Sequence, residues 1–234
     1  MMNLLVTADG GLTSAGYGLS AAVIIILIAV VGILLQKDAA SIKLTTQQLV
    51  TCAVILALAY VTSYIKLFSL PFGGSVTLFS MLFITLAGYW YGPKIGVLTC
   101  LVYGMFQFLQ EPYVLSFFQV CCDYILAFGI MGVAGFFSKS KKHGLQKAYL
   151  TAILCRGAFH ALGGYLYWMS YMPESFPKSL AALYPIIYNY SYILLEGVVT
   201  LIVISIPAVS TGLNQIRKMV KAPTGLPVGA GAAK

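Results

Sequence analysis

Apolar residues run along this chain in seven blocks, roughly residues 19–36, 47–66, 76–91, 95–110, 116–137, 148–170 and 184–209, separated by short polar connections. A helix rises ~1.5 Å per residue, so ~20 apolar residues cross the hydrocarbon core of a bilayer. The pattern predicts an all-α membrane protein with seven spans. Proline supports the boundaries: Pro71, Pro93, Pro112, Pro173 and Pro177 fall in connections, and Pro185 sits where a first helical turn tolerates it. The closing stretch "APTGLPVGAGAAK" has no periodicity and reads as a disordered tail.

The cations sharpen this picture into a topology. No lysine or arginine precedes the first block, and Lys37 and Lys43 follow it, which reverses the charge order of a signal peptide and predicts a retained helix with its N-terminus outside. Alternating seven spans from that start gathers Lys37, Lys43, Lys94, Lys139, Lys141, Lys142, Lys147, Arg217, Lys218 and Lys221 on the cytoplasmic side and leaves only Lys66 and Lys178 outside. One span more or fewer would scatter these tracts over both faces.

Composition agrees. The 234 residues are 60% hydrophobic and 9% charged, with a mean hydropathy of +0.91, and the spans leave no room for a soluble catalytic domain. The formal charge of +8 does not form a nucleic-acid-binding face, because its cations fall in short tracts between apolar blocks. Cys52, Cys100, Cys121, Cys122 and Cys155 all lie inside apolar blocks without a CxxC pair or a histidine at ligand spacing, so they read as buried small hydrophobes rather than disulfide or metal ligands.

Against this background, polar groups inside the spans stand out. Asp123 is the only charged residue of "SFFQVCCDYILAFGIMGVAGFF", and a carboxylate at the centre of a membrane helix costs about 2.5–3.5 kcal/mol on insertion scales. The topology puts Asp123 ~10 Å below the outer surface and His160 ~15 Å down, with Trp168 two turns above His160 on nearly the same face. Tyr184 and Asn189 open the last span from outside, Tyr113 and Ser116 flank the entrance to the Asp123 helix, and Tyr124 follows the acid. Three helices thus contribute polar and aromatic groups to the outer half of the membrane, which predicts a pocket open to the outside.

Asp123 could instead be a structural acid paired with Arg156 or Lys94, although both lie toward the cytoplasmic side, and single aromatic residues could belong to an interfacial belt. As a set, the groups suit a small, flat organic cation: the carboxylate supplies counter-charge, the rings supply cation–π attraction and stacking, and the amide and imidazole supply directional hydrogen bonds.

The strings "GGSVTLFSMLFI", "PYVLSFFQVCCDYILAFGIMGVAG", "FHALGGYLYW" and "YPIIYNYSYILLEG" resemble, in order and spacing, the thiamine-binding S component of energy-coupling factor vitamin transporters. The resemblance covers roughly residues 45–210. It implies a six-helix substrate-binding membrane domain there, preceded by an extension (1–44) with an extra transmembrane helix and followed by a cytoplasmic tail (211–234). It implies thiamine as ligand, held by Asp123, Tyr124, His160, Trp168, Tyr184, Asn189 and Tyr113. It also implies a transmembrane scaffold subunit and two ATPase subunits as partners in the plasma membrane of a prokaryote. Well-known members of the family have glutamate where this chain has Asp123, whose carboxylate reaches ~1.5 Å less far and can contact the ligand through water. Where some members place a tryptophan in the first outer loop, this chain has Gly73 and Gly74.

Ala53 and Ala57 lie four apart in "CAVILALAY", a small-residue stripe that permits close helix contact in lipid. Spacing alone fits packing within the chain as well as docking to a partner; the resemblance favours the partner. No G-x-x-x-x-G-K-[ST] loop occurs, so the chain does not hydrolyse ATP. Nothing in it calls for a cofactor, a metal or a catalytic residue: an enzyme using Asp123 and His160 as acid and base would lack a second placed carboxylate or an activated nucleophile. The competing transport reading is a stand-alone, proton-coupled carrier of a small organic cation, with Glu196, ~18 Å into the last span, as its proton site.

Overall fold

The computed structural model describes residues 44–222 except residues 72 and 114, together with Ser14, Ala15 and Gly18. The block at 19–36, and with it the expected extra helix, lies outside the described residues. Helix α1 (Thr46–Ser63) starts at a capping box, in which the Thr45 hydroxyl accepts from the Gln48 N–H and the Gln48 side chain accepts from the Thr45 N–H. Past Ser63 the chain turns extended and forms an antiparallel hairpin, β1 (Lys66–Ser69) with β2 (Ser75–Thr77), with Ser69 opposite Ser75 and a bulge between Lys66 and Phe68. This hairpin shortens the two flanking helices relative to the apolar blocks at 47–66 and 76–91. Its tip needs Gly73 and Gly74 at φ of 88° and 87°.

Helix α2 (Ser80–Tyr91) ends at Gly92, and Pro93 opens α3 (Pro93–Gln110) at the one helical position where a missing N–H costs nothing. Helix α4 changes gauge along its length: α-helical over Phe117–Val120, π over Cys121–Leu126, α again over Ala127–Gly129, and 3₁₀ over Ile130–Phe137. Helix α5 (Gly144–Gly163) continues into a π segment, Gly164–Trp168, and a 3₁₀ turn, Met169–Tyr171. A further 3₁₀ segment, Lys178–Leu183, leads into α6 (Tyr184–Ser205).

The last block, expected to run to 209, breaks at Ile206. Pro207 excludes the helical region for the residue before it, and Ile206 is extended (φ −63°, ψ 126°). The chain restarts as α7 (Pro207–Lys221), so a domain boundary at 210 falls within a helix.

Core side chains face inward from every long helix, from Ala59, Ile84, Cys100, Met131, Ile153 and Ile193 to the aromatic Trp90, Tyr103 and Tyr149, all buried. Apolar residues face outward as well, among them Leu49, Val54, Leu58, Ile187, Leu195 and Ile202. An exterior this apolar suits a lipid solvent. Thr46–Ser63, Phe118–Phe137 and Lys178–Ser205 are, among the described residues, the helices long and apolar enough to cross a membrane. Ala53 and Ala57 lie exposed on α1, opposite the buried Ile55 and Ala59.

Candidate functional site

A cavity of about 490 Å³ opens between α4, α5, α6 and the hairpin, within the ~300–1,000 Å³ usual for small-molecule pockets. Every site residue singled out in the sequence lines it, and so does Glu196.

Two of the three elements that carry these residues do so on widened helical turns. Asp123 and Tyr124 lie in the π segment of α4, and Trp168 ends the π segment of α5. Eight α-helical residues would leave Trp168 ~80° out of line with His160. The wider turn over Gly164–Trp168 takes up part of that offset and lets both face the cavity. The Tyr165 hydroxyl fixes the widened segment by donating to the Ala182 carbonyl. Close approach of α4 and α5 depends on Gly163, where a Cβ would lie 2.9 Å from Asp123 Oδ1.

Asp123 stands at the centre of a chain of hydrogen bonds. Its Oδ2 accepts from Gln119 Nε2 at 2.7 Å, and its Oδ1 lies 3.3 Å from His160 Nδ1. On the far side of the ring, Arg156 Nε donates to His160 Nε2 at 3.2 Å. Guanidinium only donates, so Nε2 must carry the lone pair and Nδ1 the proton. His160 is therefore a neutral donor to Asp123 and sets no positive charge of its own beside the carboxylate. The side chains of Asp123 and His160 are 16% and 12% exposed, an exposure that opens onto the cavity.

Arg156 corrects the sequence reading. It is not remote on the cytoplasmic side: one turn below His160 on the same face, it reaches up into the cavity wall, with its guanidinium 4.4 Å over the Phe128 ring. It is linked to Asp123 through the imidazole rather than as a direct ion pair. The cavity is lined by three carboxylates (Glu111, Asp123, Glu196) and two cations (Lys66, Arg156), an excess of one negative charge when all are ionised.

The aromatic wall forms at the mouth. Trp168 lies against Tyr113 (centroids 4.9 Å apart, planes at 32°) and Tyr171 (5.1 Å, 49°). Tyr124 serves mainly to hold this mouth: its hydroxyl donates to the Glu111 carbonyl at 2.7 Å and accepts from the Tyr113 N–H at 3.2 Å. Glu111 in turn pairs with Lys66 of the hairpin, closing one side of the rim.

The opposite wall is one face of α6. Tyr184 packs edge-on against Phe176, and the Tyr188 hydroxyl donates to the Gly73 carbonyl at 3.0 Å. The Asn189 amide donates to the Pro185 carbonyl at 2.9 Å, while its oxygen accepts from the Tyr192 hydroxyl at 3.1 Å. The Tyr192 ring lies beneath the hairpin so closely that a Cβ on Gly74 would come within 2.5 Å of it. In place of a tryptophan, the first outer loop thus brings two glycines down onto tyrosines of α6. One turn deeper, Glu196 accepts from the Thr77 N–H and the Thr77 hydroxyl, both at 2.8 Å, and anchors the hairpin to α6.

Sequence reading passed over Gln119, Tyr188 and Tyr192, and placed Arg156 below the site. Gln119 and Arg156 each lie four residues before a singled-out residue (Asp123 and His160), and Tyr188 and Tyr192 lie eight and four residues before Glu196, so helical spacing was the available signal.

An apolar, outward-facing helical bundle around a polar cavity defines an integral membrane protein that binds a small solute. The thiamine transporter protein family (Thia_YuaJ) matches residues 49–214, and this chain belongs to that family. It is 28% identical over 177 residues to the thiamine transporter ThiT of Bacillus subtilis (strain 168), covering 67% of this chain and 88% of that one. Its fold is similar to the solved structure of ThiT from Listeria monocytogenes, with a TM-score of 0.55 and 24% identity over 71% of this chain and 96% of the other.

Proposed function

We propose that this chain is the substrate-capture subunit of an energy-coupling factor importer: it binds thiamine from outside the cell and releases it inward after docking with a transmembrane scaffold and two ATPases. The observation that carries this reading is the Asp123 carboxylate, charged and held by Gln119 and His160 in a cavity walled by Trp168 and Tyr113. Thiamine is a flat heteroaromatic monocation, and the cavity's single excess negative charge matches it. The direction of α4, which runs from the cavity mouth near Tyr113 to Ser138 at the start of the basic loop, supports a mouth that faces outside and a lysine-rich end that faces the cytoplasm of a prokaryotic cell. The exposed Ala53 and Ala57 stripe on α1 is the proposed contact with the scaffold.

The chain has two tryptophans, and Trp90 is buried in α2 away from the cavity, so thiamine should quench intrinsic fluorescence chiefly through Trp168. Titration of the purified protein should show the quench, and Trp168→Phe should abolish most of it.

Glu196 lines the same cavity, which gives the proton-coupled reading its one point of support. Uptake into proteoliposomes separates the two. The capture-subunit reading predicts binding without accumulation until scaffold, ATPases and ATP are supplied. Accumulation by this chain alone, abolished by an uncoupler, would replace it with the proton-coupled carrier.

A further inference from the structure

We propose that the end of the bundle opposite the cavity mouth is a binding surface for acidic phospholipid headgroups, organised by α7. On this end Lys139, Lys141, Lys142, Lys147, Lys218 and Lys221 are all exposed. None of the four carboxylates among the described residues is there: Glu111 and Glu174 lie in loops at the mouth, and Asp123 and Glu196 face the cavity.

The two basic segments form one patch because Arg217 joins them. Its guanidinium lies 4.4 Å over the Tyr89 ring, donates to the Tyr89 hydroxyl at 3.1 Å, and also donates to the Ser138 carbonyl at the start of the lysine loop. Two further bonds hold α7 flat against the bundle: Gln47 Nε2 donates to the Met219 carbonyl and the Tyr91 hydroxyl to the Val220 carbonyl, each at 3.1 Å. Arg217 is thus committed to structure, while the neighbouring lysines are left outward.

The same contacts leave an apolar strip uncovered. Helix α7 turns Leu213 and Val220 inward, but Met219 is 62% exposed and Ile216 40% exposed, beside the Lys218 and Lys221 face. Exposed apolar side chains flanked by lysines on a helix tied down beside membrane-spanning segments suit the headgroup boundary, with Met219 and Ile216 toward the acyl chains and the lysines toward phosphate. Charge selects the lipid: six lysines with no carboxylate beside them among the described residues favour an anionic surface over a zwitterionic one, and the preference weakens with salt.

The test places a reporter on the strip. Met219→Trp in the full-length protein, reconstituted in vesicles of mixed phosphatidylcholine and phosphatidylglycerol, reports which lipid surrounds α7 when one or the other carries brominated chains. Brominated phosphatidylglycerol should quench the introduced indole at least about twofold more than brominated phosphatidylcholine at equal mole fraction. Raising salt to about 0.5 M should reduce that preference, and Lys218→Glu with Lys221→Glu should remove it. Equal quenching by the two lipids overturns the proposal. Absence of quenching by either also overturns it, because the strip would then not face lipid. The comparison of lipids needs only the Met219→Trp protein, so it stands even if the charge-reversed variant fails to fold.

Discussion

Replacing Asp123 with asparagine is expected to weaken thiamine binding by at least about tenfold. Asparagine is nearly isosteric, and its oxygen can still accept from His160 Nδ1; the one bond lost is that from Gln119 Nε2, because the Gln119 oxygen is held by the Leu115 N–H. The cavity should therefore keep its shape and lose one negative charge, turning its excess of one into none. Hydrogen bonds to charged groups contribute about 1.5–3 kcal/mol, and each ~1.4 kcal/mol is tenfold in affinity. Affinity measured on purified wild-type and Asp123→Asn protein checks this. An unchanged dissociation constant would remove Asp123 from the site and return it to a structural acid.

The second large effect is expected at Glu196, and there the outcome depends on which residue replaces it. Its carboxylate accepts from the Thr77 N–H and hydroxyl and, at 3.4 Å, from the Met81 N–H, so it joins the hairpin and the start of α2 to α6. Glu196→Leu leaves these donors buried without partners, at about 1–3 kcal/mol each. Thermal unfolding should then shift down by at least about 6 °C, and thiamine affinity should fall as the hairpin loosens from the cavity. Glu196→Gln keeps an acceptor oxygen toward Thr77, and because both Glu196 oxygens are committed to Thr77 and Met81 rather than to a ligand, it should bind thiamine within about threefold of wild type despite the lost charge. A proton-coupled carrier makes the opposite demand. If Glu196 carried the transported proton, the glutamine variant would fold and bind but fail to transport even with the full ATP-driven complex present.

The helices were legible where one physical rule dominated. Long apolar blocks bounded by proline and glycine located the six helices of the bundle, because the apolar pattern, not specific contacts, decides which segments cross lipid. Legibility failed where two signals overlapped. "GGSVTLF" reads as the start of an apolar block, yet Gly73 and Gly74 adopt a turn that pairs Ser75–Thr77 with Lys66–Ser69. Pro207 stood in plain view, but the apolar run across it hid the break at Ile206. The π segments carry no compositional signature at all; they arise from how α4, α5 and α6 pack around the cavity.

The site divides in the same way. Asp123, His160 and Trp168 could be singled out because a carboxylate, an imidazole and an indole are costly or distinctive inside an apolar block. Arg156 was visible as well, but a depth estimate from helical rise follows the backbone and ignores the reach of a long side chain. That is why it was placed below the cavity when its head group lies in the wall. The bonds made by Tyr124 and Asn189 were beyond sequence reasoning. Both residues line the cavity, yet in this structure their polar atoms hold the mouth loop and the α6 backbone.

The most direct measurement of the central claim is a calorimetric titration of the purified protein with thiamine, riboflavin and biotin in turn. The cavity built around Asp123, His160 and Trp168 predicts saturable one-to-one binding of thiamine, lost or weakened at least about tenfold in Asp123→Asn, and no heat of binding with the other two vitamins. Saturable binding of riboflavin or biotin with none of thiamine would contradict it.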